Sequence, residues 1–461
     1  MKEKILQTLA DLRAYALGKG VEVSLFYHEE DSALMRFANS SISLNTTEHL
    51  IRLDVTAYAR RKRARYALIT DLNQVDEMKR GIDRVAEMVE HAQPLNYDPT
   101  IPTFQESFAD ESACDPELAA LTSAERLDYF NRAAADLETA DIKLSGIFSS
   151  GVTTLAQINT RSAHTQYFRM SDAQVTAVLA HSNLKWEVQA EQSAQKKSDL
   201  DATAVQRDLA FLLERYENDA PLQLPLGNYD IVFGYSATAH LLSMLNWIGF
   251  NGGTMKRGSS FLSEAQIGQK IFSDKITLLD DPTRPETFPF RRDLTGIPRR
   301  PFPLFEKGIF KGFIWYQDDA DEFSAKPTGH TVMHQSLSLQ PGSNPIGRLE
   351  ELVKMPRRKD LLYIPFLHYM NIVNPSKGVV TASSRFGALL LKADGTVAVP
   401  FNVRITQSLL DLFGDKVEWL SKATVACNTS ASYGARNPTA ILLPAFMCVK
   451  DLEISHSNTS Y

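Results

Sequence analysis

Three cysteines in 461 residues, Cys114, Cys427 and Cys448, are odd in number and far apart, which excludes a disulfide framework. No apolar run reaches the roughly 18 residues that span a bilayer. The amino-terminal stretch MKEKILQTLADLRAYALGKG spreads charges along its length and lacks the apolar core of an export signal. The cytoplasm is the compartment these absences predict. Positive charge is not in excess either: 49 Lys and Arg against 55 Asp and Glu give a net charge of −6. A mildly acidic chain carries no global electrostatic footprint for nucleic acid. No short-period repeat of solenoid type is present. What remains is 44% hydrophobic and 23% charged, ordinary for a folded chain and too apolar for a disordered one. At about 150 residues per domain, the length predicts two to four structural units.

The residues fall into two unlike parts. Ile5, Leu6, Leu9 and Leu12 recur at helical spacing, and Gly18 and Gly20 stop the run. Period-two alternation over Val21–Tyr27 predicts a strand, with further strand-like runs at Ala33–Phe37, Ser41–Asn45, Ile51–Tyr58 and Tyr66–Ile69. Asp71 reads as the N-cap of a helix whose inner face is Val75, Met78, Ile82, Val85 and Val89. Pro94, Pro99, Pro102 and Pro116 mark 94–118 as a linker. Thr122 and Glu125 have capping-box spacing before the helical run Leu127–Leu137. Four or five strand-like runs fill 142–192, Ser193–Asp201 reads as a second linker, and Val205–Tyr216 as a helix. The predicted fold class is α+β. A sheet-and-helix domain over 1–220, with sub-segments 1–93 and 118–217, precedes a β-rich domain over 226–461. The second domain opens with a strand at Tyr229–Phe233 and a helix capped by Ser236. Its frequent Pro and Gly favour an antiparallel, barrel-like or sandwich-like arrangement.

Few motifs carry chemistry by themselves. His330 and His334 stand four apart, which on a helix would place both imidazoles on one face, as zinc requires. Thr331 occupies the place of the Glu that a zinc peptidase needs, and on a strand the rings would be about 13 Å apart. Arg60–Arg65 packs five cations into six residues between two strand runs; this reads first as a solvated hairpin end and second as a phosphate contact. Asn251-Gly252-Gly253 lacks the Gly-Lys-Ser/Thr ending of a phosphate loop. Cys427 and Cys448 read as small buried hydrophobes, and Asp280-Asp281 before Pro282 as a turn.

The order of several short motifs is more informative. Arg257–Leu262, Ile267–Lys270, Thr277–Pro282, Gly296–Pro298, Leu304–Gly308, Thr328-Gly329, the stretch SRFGALLLKADGTVAVPF and Pro438–Ile441 together resemble the TldD/PmbA family, whose members are often named modulators of DNA gyrase. The resemblance implies a two-subunit zinc metallopeptidase acting on unfolded or extended peptides. One subunit type carries His-Glu-x-x-x-His on a helix, with a cysteine near the C-terminus as a further zinc ligand; the PmbA or TldE branch lacks the motif. Here that helix reads ATAHLLSMLNWI over 237–248, with Ser243, Met244 and Ile248 at the motif positions. The i+4 partner of His240 is Met244, and Cys427 falls near the family's cysteine. None of Ser243, Met244 and Ile248 can hold zinc or act as a general base. The resemblance therefore implies a non-catalytic subunit with no catalytic residue and no metal of its own, paired with itself or with a zinc-bearing TldD-like chain. It further implies that Gly258, Ser259, Ser260, Phe261, Thr328 and Gly329 flank a groove that takes an extended peptide as an added strand. Two alternatives stand beside this: a peptidase with an atypical metal site, drawn from His330, His334 and Cys427, and a regulator associated with DNA gyrase. His330 stands where the family has Asn, and Arg291-Arg292 where it has an acidic pair.

Overall fold

The structure is a computed structural model and describes residues 1–218, 220–330, 335–430 and 436–461. Its first part is a seven-stranded sheet. Lys62–Thr70, Ser41–Ala59, Glu22–Ala38, Ile142–Asn159 and Ser162–His181 lie side by side, each antiparallel to the next. Phe108–Ala113 adds a parallel edge inside the expected linker, and Glu187–Ala194 also pairs with Ser162–His181. The separate runs expected at 33–37 and 41–45 are the ends of two continuous strands of 17 and 19 residues. Asn39 and Ser40 join them with φ of 52° and 63°, the left-handed pair that a two-residue hairpin turn demands.

Helices Lys2–Gly18 and Val75–His91 cover one face of this sheet. Ile5, Leu9 and Leu12 from the first, and Ile82 and Val85 from the second, are buried against Val23, Leu25, Leu53 and Val55. Asp71 is not the cap of the second helix. Gln74 holds that position, and the Asp71 carboxylate accepts instead from the Asn73 amide at 2.7 Å, closing the turn that leads in. The capping box of Thr122 and Glu125 is present as read.

The second part holds a nine-stranded and a six-stranded sheet, both open rather than closed into a barrel. Most pairings are antiparallel. Among the described strands two pairings are parallel: Gly227–Gly234 with Leu361–Ile364, and Leu337–Leu339 with Ala440–Pro444. Helix Tyr235–Ile248 leaves the first strand of this part and buries Leu241, Leu242, Leu245 and Ile248 in the core. Gly234, not Ser236, is its N-cap, and no side chain caps it.

The two parts share a core. Val175, Val205 and Leu209 from the first pack in one cluster with Val232, Tyr363 and Phe446 from the second. A polar seam runs beside it: buried Arg436 donates to both carboxylate oxygens of Asp172 at 2.7 Å, and its carbonyl meets His28 Nε2 at 2.7 Å.

Candidate functional site

A cavity of about 430 Å³ opens where the two parts meet. The strand Glu187–Ala194 and helix Ala202–Asn218 form one side; the N-terminus of helix Tyr235–Ile248 and the strand Thr424–Asn428 form the other. Glu191, Tyr235, Ser236, Tyr363 and Cys427 bring the reactive groups to its wall. The Ser236 hydroxyl stands beside both the Glu191 carboxyl and the Cys427 thiol and favours the charged form of each. Glu191 Oε1 is buried with no hydrogen-bond partner among the described residues. Burial pushes the Glu191 carboxyl up, against the opposing pull of Ser236 and Tyr235. Burial likewise raises the Cys427 thiol well above its ordinary range, and the nearby Glu191 adds to the rise. Both groups thus favour their neutral forms, because a low-dielectric wall penalises the charged one.

The helix that enters this wall offers no metal ligand at the expected positions. Ser243 Oγ donates to the Ala239 carbonyl at 3.0 Å. Met244 packs against the core, and Ile248 is inside it. The His240 ring meets Phe366 edge-on, with centroids 4.7 Å apart, and burial lowers its pKa, with His368 adding to the effect.

The six residues expected at a groove lie elsewhere, and none of them lines the cavity. Gly258 is exposed at φ 75°, with open space where a Cβ would stand. Its conformation, rather than crowding, calls for glycine. Ser259 is exposed, Ser260 Oγ donates to the Gly249 carbonyl at 2.7 Å, and Phe261 covers Gly378. The crowded glycines lie just before this loop, at the start of the short helix Gly252–Lys256, where a Cβ would come within 2.5 Å of the Trp315 ring at Gly252 and within 2.1 Å of the Asp319 carboxylate at Gly253. Thr328 Oγ1 accepts from the Trp315 amide at 2.9 Å and meets His330 Nδ1 at 2.7 Å; Gly329 lies against Ile297.

His330 is buried, with Nε2 2.9 Å from Asp280 Oδ2. Arg299 reaches both oxygens of the same carboxylate at 2.6 Å, and the Ser336 amide donates to it at 2.6 Å. The expected Asp280-Asp281 turn is correct only for its second member, which accepts from Thr283. Asp280 itself is the buried hub of an ion cluster. His330 does not line the cavity that holds Cys427, and His334 lies outside the described residues.

The basic run Arg60–Arg65 sits at a hairpin end, between Ser41–Ala59 and Lys62–Thr70. Several of its cations are spent within the chain: Arg63 on Asp318, Arg65 on Asp54 and Lys62 on the Glu90 carbonyl. Arg292 pairs with Glu106, and Arg291 stands 3.6 Å from Asp110, so this pair fastens the 94–118 segment to the second part.

Residues 226–456, just over half the chain, match the family model described as PmbA/TldA metallopeptidase C-terminal domain. The chain belongs to the PmbA/TldD family. No curated protein matches the sequence. Among solved structures, TldE from Thermococcus kodakarensis superposes with a TM-score of 0.81 at 17% identity, covering 97% of this chain and 100% of that one. A protein described as a modulator of a DNA gyrase from Thermotoga maritima gives 0.75 at 16%, covering 97% and 99%. A like-named protein from Bacteroides thetaiotaomicron gives 0.74 at 16%, covering 96% and 98%. At these identities the likeness establishes the fold.

The zinc implied by the family name does not fit the cavity. Its lining offers one thiol, three carboxyls (Glu191, Asp208 and Glu350) and no histidine, and among the described residues no three of these stand close enough together to share the ion. Among the described residues, the one group of three potential ligands is Glu29, Asp31 and His49, on the long first hairpin and away from the cavity wall. Sequence reasoning missed Glu191. It stands where strand-like residues give way to the apparent linker, and its meaning depends on Ser236 and Cys427, distant in sequence. Cys427 carried a signal through the family's cysteine position; Glu191 carried none.

Proposed function

We propose that this chain is a peptide-holding subunit without hydrolytic chemistry of its own, paired with a zinc-bearing TldD-like chain or with a second copy of itself. The observation that supports this reading most strongly is the cavity wall. The helix entering it has Ser243, Met244 and Ile248 where a peptidase of this family would need its zinc ligands and base, and Cys427 is a buried thiol whose pKa burial raises. What the wall retains is the means to hold a chain: hydroxyl, carboxyl and aromatic groups around a cavity lined by strands of two sheets. An extended peptide also suits the exposed strand edges of the second part, where recognition rests on backbone rather than side chains.

The deciding experiment measures binding of an unstructured fluorescent peptide by anisotropy and its cleavage by mass spectrometry. The protein alone is expected to bind without cleaving; cleavage is expected only with a partner that carries His-Glu-x-x-x-His. Cleavage by the isolated chain, together with about one zinc per chain, would overturn the reading in favour of an atypical metallopeptidase. Salt-sensitive DNA binding without peptide binding would favour the gyrase-associated role that two of the structural neighbours' names suggest.

A further inference from the structure

The long first hairpin carries a cluster that the peptide-holding reading does not use. Asp31 on Glu22–Ala38 lies directly opposite His49 on Ser41–Ala59, and Glu29 stands two residues before Asp31 on the same face. Asp31 Oδ1 and His49 Nδ1 are 2.5 Å apart, and His49 Nε2 faces Glu29 Oε1 at 3.9 Å. One donor atom from each of the three residues lies within 4.8 Å of the other two. The Glu29 side chain is only 6% exposed, whereas those of Asp31 and His49 are more than half exposed. Glu29 Oε2 accepts from the Tyr27 hydroxyl at 2.9 Å; its Oε1 receives no hydrogen bond from any described residue and is aimed at the imidazole. No Lys or Arg among the described residues pairs with either carboxylate. A buried carboxylate oxygen without a donor is costly, and an ion placed between it and His49 Nε2 would satisfy it.

We propose that Glu29, Asp31 and His49 bind a divalent transition-metal cation, zinc above all. The donor types select it. Two carboxylates match the charge of a dication, and an imidazole nitrogen favours zinc and its neighbours over magnesium or calcium, which take oxygen ligands. Two metal–donor bonds of about 2.1 Å span at most about 4.2 Å, so His49 Nε2 and Glu29 Oε1 already stand at bridging distance. Asp31 joins by a turn of its exposed side chain, and water fills the open side. The Tyr27 hydroxyl fixes the Glu29 carboxylate from behind, the support that metal ligands ordinarily have. The position also gives the ion a use. Lys62–Thr70 flanks Ser41–Ala59 only from Ile51 onward, so residues 41–50 are held by Glu22–Ala38 alone. His49 lies just past that limit, and a metal there clamps the two strands where the third gives out.

The test titrates chelator-treated protein with zinc chloride by calorimetry, beside magnesium chloride and the variants His49→Gln, Asp31→Asn and Tyr27→Phe. About one zinc per chain is expected at this site, bound at least about a hundredfold more tightly than magnesium. His49→Gln is expected to weaken zinc binding about a hundredfold or more, and Asp31→Asn and Tyr27→Phe about tenfold. His49 and Asp31 are exposed, so their variants keep the test valid if Tyr27→Phe disturbs the core. Zinc should also slow hydrogen exchange over residues 41–50 in the unaltered protein and not in His49→Gln. Failure to bind at millimolar zinc would overturn the site. So would magnesium binding as tight as zinc, or zinc binding that His49→Gln and Asp31→Asn leave unchanged. The site stands apart from the peptide-holding reading. Zinc lost with His49 and never accompanied by cleavage leaves that reading intact, whereas cleavage that survives His49→Gln counts against that reading alone.

Discussion

Asp280 and Glu191 are both carboxylic acids removed from water, yet they are driven in opposite directions. Burial alone would raise the pKa of Asp280, but the close approach of His330 and the paired Arg299 overcome it and bring the value down to about 2. Glu191 has hydroxyls and a thiol near it and, among the described residues, no cation paired with it, so burial prevails and its pKa rises. The lesson is that burial sets only the cost; the presence or absence of a paired cation decides the role. Asp280 is a cross-link that joins Leu278–Asp280, Arg299, His330 and Ser336. Glu191 is an acid left unsatisfied at a cavity wall, which is where a ligand's polar group would be useful.

The harshest way to break this contrast is to remove the cross-link's centre. Asp280→Ala takes from buried Arg299 the carboxylate that it holds with two bonds and is expected to cost about 3–5 kcal/mol of stability in denaturant unfolding. A loss below about 1 kcal/mol would show that the cluster contributes no more than a surface pair. Acid provides a gentler route. The folded pKa of Asp280 is depressed, so its contribution is complete above the unfolded value, near pH 4, and is lost as pH falls toward about 2. A melting temperature flat between pH 4 and pH 2 would contradict the pairing, after correction for the same profile in Asp280→Asn.

Gly252→Ala reaches the same cluster from outside. The added methyl meets the Trp315 ring, and Trp315 bonds the Thr328 hydroxyl that faces His330. About 1–3 kcal/mol of overpacking cost is expected by calorimetry. Gly258→Ala, beyond the end of the short helix that Gly252 opens, meets no atom and bears only its positive φ, about 1 kcal/mol; a cost equal to that at Gly252 would show that Gly258 is crowded in solution. The smallest effect belongs to Glu191→Gln. A raised folded pKa means that Glu191 contributes stability below its unfolded value and loses it as pH rises through the folded one. The amide should therefore raise the melting temperature at neutral pH by roughly a degree or two and make no difference in acid. A fall at neutral pH would place an unrecognised cation beside Glu191.

Much of the frame was legible in the sequence because period and capping are local. The helical face from Val75 to Val89, the Thr122 and Glu125 cap and the hairpin that ends in the basic run all follow from neighbours within a few residues. The full length of the first two strands was not legible. Residues 41–47 are exposed, so no buried face imposes an alternation there, and hydrogen bonding to Glu22–Ala38 holds them extended. The parallel pairings of the second part were hidden for a related reason, since strands such as Leu337–Leu339 are too short to show any pattern. The site was the least legible of all. Glu191, Ser236 and Cys427 come from three distant segments, and each reads alone as an ordinary surface or core residue. Asp280 read as a turn because its partners, Arg299 and His330, lie well downstream.

The central place of Gly227–Gly234 in its sheet has a consequence for how the molecule is made. This strand is held on one side by Leu361–Ile364 and on the other by Phe446–Ser457, so it is synthesised long before either neighbour exists. The first sheet needs nothing beyond Ala194 for its pairings and can assemble while the ribosome is still at work. The second part must wait for Phe446–Ser457 to emerge, with its apolar strands uncovered in the meantime. Pairings across so long a stretch of chain are slow to find, and an uncovered strand is open to the wrong partner. Ribosome-bound chains stalled before Phe446 should therefore protect the first sheet from protease and leave the second part open to it.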